Sequence, residues 1–207
     1  MVISDAHRLL FVHVQKTGGS TIDNRLDDVL PDARHVAGID RHATLGQILA
    51  AEPGLAAYWT VGFVRNPWAR MLSWFRMVER FRERADRGRR GADAFMKKNH
   101  FIRGVAEACP DFEAFVMQGP DRWSRLRTPQ VRYLTSKTRR ADFIGRQETL
   151  EADLRAVFAR LELPWEPLAS VNVDKSRPDY RDVYSDPMRR RVEELFAKDI
   201  AAFDYSF

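Results

Sequence analysis

One cysteine, Cys109, is all that the 207 residues contain. No internal disulfide can form, which excludes a disulfide-stapled secreted scaffold and fits a reducing compartment. Cys109 reads as a small buried residue rather than a nucleophile. The chain also lacks any run of 18 apolar residues, which excludes a hydrophobic membrane-spanning helix. Its opening residues reach an apolar run by Leu9 without the successive regions of a secretory leader, so a cytoplasmic location is the expectation. Repeats, low-complexity tracts and linkers are missing, and one domain over 1–207 is expected. No group of residues has metal-ligand spacing, so no metal is expected. Acids are scarce in one place. From Arg70 to Arg103 there are eleven Lys/Arg and four Asp/Glu, a local +7 in a chain whose net charge is +5. Such a segment concentrates anionic ligands, or else is a solvated helix face followed by a loop.

What is present begins at Leu9-Leu10-Phe11-Val12-His13-Val14, an apolar run with the character of a buried strand. Gln15-Lys16-Thr17-Gly18-Gly19-Ser20-Thr21 follows, and then helix spacing through Ile22, Leu26 and Val29/Leu30, stopped by Pro31. A strand, a lysine, two glycines and hydroxyls at a helix start build a phosphate cradle. The common nucleotide loop GxxxxGK[ST] is not matched, because Lys16 precedes the glycines.

A second apolar run, Tyr58 to Val64, ends in Arg65. Asn66-Pro67 then opens a helix that buries Met71, Leu72, Trp74, Phe75 and Val78 and runs to about Arg84, with Ser73 two turns in. A forked guanidinium and a hydroxyl suit a phosphate monoester. Thr44 is placed to cap a helix through Leu45, Ile48 and Leu49. Ala85 to Ala92 reads as a loop, Asp111 as the cap of a helix from Phe112 to Met117, and Asp142 to Gly145 as a short strand before a helix over 149–161. Asp186-Pro187 starts a last helix with Val192, Leu195, Phe196, Ile200 and Phe203 on one face. Strand and helix signals alternate, which predicts an α/β fold, three-layer α/β/α, with a mostly parallel central sheet and a P-loop-like phosphate-binding loop.

Together the two loops resemble the sulfotransferases that use 3′-phosphoadenosine-5′-phosphosulfate (PAPS). Residues 11–21 are similar to their 5′-phosphosulfate loop, and residues 63–75 to their 3′-phosphate motif. Pro129 to Leu134 resembles the PQxxYL segment, Phe143 to Asp153 resembles FIGRxExLxxD, and residues 184–207 resemble the closing helix with its aromatic tail. The likeness is to the small carbohydrate and heparan-type branch rather than to the aryl and steroid group. Gln15 stands where proline is common, and Ala69 where many relatives carry aspartate.

The resemblance implies a site. Lys16, Thr17, Gly18, Gly19, Ser20 and Thr21 would hold the 5′-phosphosulfate, and Arg65 and Ser73 the 3′-phosphate. Arg146 or a neighbour would lie near the adenine. Lys16 would stabilise charge on the leaving phosphate, and PAP, the 3′,5′-bisphosphate of adenosine, would be the product. The family's base commonly lies near a segment like Arg41-His42-Ala43-Thr44, which makes His42 the expected base and His35 the runner-up. The implied acceptor is a carbohydrate or glycolipid hydroxyl, or an amine, with no nucleic-acid partner. Arg87, Arg89 and Arg90 would gate it, and Trp68, Trp74 and Trp123 are candidates to stack on sugar rings, although Trp74 has core spacing. A rival reading is a kinase or NTPase with an atypical loop, which requires Mg²⁺ and an acid at a strand end. Another is a polyanion-binding protein with steep salt dependence.

Overall fold

The computed structural model describes residues 1–88, 91–168 and 179–207. Arg89 and Arg90 of the expected gate lie outside the described residues. The strands are β1 (Val2–Ser4), β2 (Leu9–Val12), β3 (Trp59–Val64) and β4 (Phe143–Arg146). The α-helices are α1 (Gly19–Val29), α2 (Leu45–Ala51), α3 (Pro67–Asp86), α4 (Ala92–Lys98), α5 (His100–Ala108), α6 (Phe112–Arg122), α7 (Ser124–Arg127), α8 (Gln130–Leu134), α9 (Leu150–Arg160), α10 (Asp186–Leu195) and α11 (Ala197–Phe203). The chain divides into two compact units, Met1–Arg65 with Gln130–Lys175 and Asn66–Pro129 with Ser176–Phe207.

The first unit holds the sheet, in the order β1-β2-β3-β4. β2, β3 and β4 run parallel, and β1 joins antiparallel to β2. The fold is therefore α/β with a mostly parallel sheet. β2 is buried on both faces, which is why it reads as a continuous apolar run. Leu9 and Phe11 of β2 and Val61 and Phe63 of β3 face Ile22 and Leu26 of α1 and Leu154, Val157 and Phe158 of α9. The other face carries α8, whose Leu134 occupies the space of the Cβ that Gly62 lacks, and α8 packs against α2. β1 is too short to give a periodic signal. It is recruited by its partners, pairing Val2 with Phe11 and forming a bridge from Ile3 to Arg34.

The second unit is helical. Its core gathers Trp68, Met71, Trp74, Phe75 and Val78 of α3 with Val105, Phe115, Val116, Val192 and Phe196. Asn66 caps α3 by accepting from the N–H groups of Trp68 and Ala69 at 3.1 and 3.3 Å. Asp111 caps α6 through the N–H of Ala114. The expected last helix is broken into α10 and α11 at Phe196, which leaves helical geometry as its ring enters the core. α3 extends to Asp86 and α4 begins at Ala92, so Ala85, Asp86 and Ala92 of the expected loop are helical. Two cations of the basic segment are spent on structure. Arg70 is buried, with a guanidinium nitrogen on the Thr128 carbonyl, and Arg82 donates to the carbonyls of Ala106, Cys109 and Pro110. Trp68 and Trp74 are core residues, so neither is a platform for a sugar. Cys109 is buried, and burial raises its thiol pKa. No helix among the described residues is long and apolar enough to cross a membrane.

Candidate active site

The chain leaves β2 through a tight loop. Lys16 and Gly18 both take left-handed backbone, at φ 70° and 87°. Glycine does this without penalty, whereas at Lys16 it stores of order 1 kcal/mol, the kind of strain that accompanies function. A Cβ on Gly18 would also stand 3.1 Å from Leu150 of α9. Thr17 is buried, and its hydroxyl donates to the Val14 carbonyl at 2.9 Å. That bond closes the loop on itself and leaves the Thr17 backbone N–H, not its hydroxyl, as the group to offer a ligand. α1 starts at Gly19 with no side-chain cap and no acid in its first turn. Its dipole and first N–H groups therefore give the loop a partial positive charge that no side chain of the first turn offsets. Ser20 is exposed and Thr21 half-buried beside it.

Gly19 has a second task. A Cβ there would overlap the imidazole of His13, which lies against the helix backbone. His13 is buried, and its Nδ1 is 2.7 Å from Oδ2 of Asp23. Asp23 is one helical turn beyond Gly19, so a ring lying on Gly19 reaches it directly. The same oxygen accepts from Arg41 at 2.5 Å. The ring of His42 meets that of His13 edge to face, with centroids 4.7 Å apart, and its Nδ1 is 3.0 Å from Oδ1 of Asp40. Asp40 also accepts the His42 backbone N–H at 2.7 Å.

The charges follow from this packing. Burial, then the neighbouring His13, lowers the His42 pKa to about 4 against the opposing pull of Asp40. Burial likewise lowers His13, with Asp23 opposing. Burial alone would raise the Asp23 carboxyl, but the His13 hydrogen bond and charge, helped by Arg41, carry it below the usual range. His35 is exposed, and its Nδ1 lies 2.6 Å from the Met1 carbonyl.

Arg65 ends β3. Its backbone N–H donates to Oε1 of the buried Gln130 at 2.9 Å, and Nε2 of Gln130 donates back to the Arg65 carbonyl at 2.8 Å. The amide side chain extends the strand ladder by one residue and so aims the arginine. Ser73, two turns into α3, is half-buried in the second unit. Arg146 ends β4, and its N–H donates to Asp153, which also accepts from the Thr149 hydroxyl. This explains the spacing of that segment as a strand-to-helix anchor. Among the described residues no three His, Cys, Asp or Glu side chains are grouped to hold a metal ion.

Sequence reasoning passed over Asp23, Arg41 and Gln130. For Asp23 a signal existed, an acid on the buried side of α1 beside Ile22 and Leu26. For the other two the partner is distant in sequence. Comparison with curated proteins found no match. A family model, described as the sulfotransferase family, matches residues 1–206. With the lysine–glycine loop at a helix start and the anchored arginine at the next strand end, this match places the chain in the sulfotransferase family of PAPS-dependent enzymes.

Proposed function

We propose that the chain works as one sulfotransferase domain that moves a sulfuryl group from PAPS to a hydroxyl of a carbohydrate or glycolipid acceptor and releases PAP. One observation carries the donor assignment. The loop from Val14 to Thr21 pairs left-handed Lys16 and Gly18 with an uncapped, acid-free helix start, which suits a dense anionic group and nothing cationic. Lys16, the backbone N–H groups of Thr17, Gly18 and Gly19, and Ser20 and Thr21 hold the 5′-phosphosulfate. Arg65 and Ser73 hold the 3′-phosphate. PAPS supplies a sulfuryl group on a good leaving group.

The acceptor oxygen attacks sulfur, the bond from sulfur to the bridging oxygen breaks, and its electron pair departs with PAP. Lys16 meets the charge that grows on that oxygen. The proton of the acceptor hydroxyl passes to a histidine. His42 suits the task because it is neutral at pH 7. With Asp40 taking an Nδ1–H, its Nε2 lone pair is free to accept the proton. His35 fits less well, since its ring is exposed and lies on the Met1 carbonyl, whereas His42 packs on His13.

Calorimetric titration tests the donor. PAP should bind without metal, Arg65→Ala should weaken it about 10- to 100-fold through loss of charge-assisted hydrogen bonds, and Mg²⁺–ATP should not compete. Binding of Mg²⁺–ATP with none of PAP would overturn the donor assignment in favour of a kinase.

A further inference from the structure

His42 needs a fixed position over the phosphate loop, yet its own partner, Asp40, is exposed and only two residues away. A contact that local cannot dock the segment onto α1. The neighbouring residue does so. Arg41, itself half in solvent, reaches α1 and donates to Asp23, whose side chain is only 8% exposed. The oxygen it uses is the one that faces Nδ1 of His13. Nδ1 lies 3.3 Å from the Arg41 guanidinium as well. Beside a carboxylate that accepts and a guanidinium that only donates, the proton belongs on Nδ1 of His13. The ring is thereby held in one tautomer and one orientation, with a face on Gly19 and an edge contact on His42.

We infer that Asp23, with Arg41, is a positioning residue for the reaction: one carboxylate oxygen on the first helix aligns His13 and tethers the Asp40–His42 segment, so that the base and the phosphate loop are set against each other. The inference rests on the reading of His42 as the base. A buried ion pair is a poor way to gain stability, because desolvation offsets most of the attraction. An apolar side chain on α1 would serve the core as well, whereas only a carboxylate can orient both a ring nitrogen and a guanidinium. The sulfotransferase chemistry is unaltered by this; what it adds is the device that sets the geometry.

The test uses Asp23→Asn, Arg41→Ala, Arg41→Lys and His42→Ala in the full chain, with kcat for sulfation of an unsulfated oligosaccharide by PAPS and the Kd of PAP measured for each. Asp23→Asn keeps the shape but removes the charge, so the shared oxygen becomes a weaker acceptor or is replaced by an amide NH2 that accepts neither bond. It should lower kcat about 10- to 100-fold, the scale of a misplaced catalytic group, while PAP affinity stays within about threefold. Arg41→Ala should act in the same direction more weakly, and Arg41→Lys should recover most of that loss. In the His42→Ala background Asp23→Asn should cost nothing further. Additive losses in the double variant, or a fall in PAP affinity as large as the fall in kcat, would overturn the positioning role and make Asp23 part of the cradle. Wild-type kcat in Asp23→Asn beside an inactive His42→Ala would overturn this inference alone. Wild-type turnover in His42→Ala would overturn the base assignment and the inference with it. Should Asp23→Asn fail to fold, the two Arg41 variants decide the matter, since that side chain is largely outside the core.

Discussion

At the scale of single residues, Gly19 is where shape and chemistry meet. Its missing side chain lets the His13 ring lie on the helix start, beside the first N–H groups of α1. Gly19→Ala forces the imidazole aside. It should cost about 1–3 kcal/mol by overpacking and should disturb turnover more than Gly18→Ala does. Gly18→Ala carries the backbone penalty of left-handed geometry instead, roughly 1–2 kcal/mol, together with a tight approach to Leu150. Denaturant midpoints and kcat on the same two variants separate these effects. Thr17→Val, by contrast, removes only a hydroxyl that bonds the Val14 carbonyl. It should loosen the loop while leaving the N–H donors in place.

At the scale of elements, the strand ends are aimed by side chains from other segments. Gln130 completes the ladder at Arg65, and Asp153 holds the turn from β4 into α9. Gln130→Leu fits the same space but strands the Arg65 N–H and carbonyl. A loss of about 1–3 kcal/mol follows from the unmade bonds. PAP affinity should fall in wild type and hardly change further in Arg65→Ala, which titration of the two single variants and the double variant reads directly. Thr44 holds a capping box with Gln47 at the start of α2, two residues beyond His42. Arg82 closes the end of α5 on three carbonyls, so Arg82→Leu should lower the unfolding midpoint without altering PAP binding. The positive excess of the 70–103 segment is therefore not all surface charge.

At the scale of the whole molecule, the clearest expectation concerns acid. The folded His42 pKa sits near 4 against an ordinary 6.5, and His13 is lowered in the same sense. Below about pH 6.5 the unfolded chain takes up protons that the fold refuses. Stability should therefore fall as the pH drops from about 6.5 toward 4, and His42→Asn should flatten part of that slope in pH-dependent denaturation. With His42 as base, kcat/KM should be level near neutrality and fall only as the pH approaches 4. The family match spans residues of both compact units.

Where periodicity and caps are local, the sequence was enough. The apolar runs of β2 and β3, Thr44, Asn66 and Asp111 as helix caps, the lysine–glycine loop and the arginine after β3 are all set by residues within a turn or two of one another. The closing helix was legible as an apolar face but not as two helices, because the break at Phe196 is made by what its ring packs on. β1 exists only through pairing with β2 and residue 34, too short a segment for propensity to mark. The site divides in the same way. The residues proposed to meet phosphate follow strand ends, and order along the chain is enough to suggest them. Its supports, Gln130 on Arg65 and Arg41 with His13 on Asp23, join positions 65, 18 and 10 apart. Only the folding of α1 and α8 onto the sheet brings those side chains within hydrogen-bond reach, and a buried carboxylate or amide gains meaning only once its distant partner is in place.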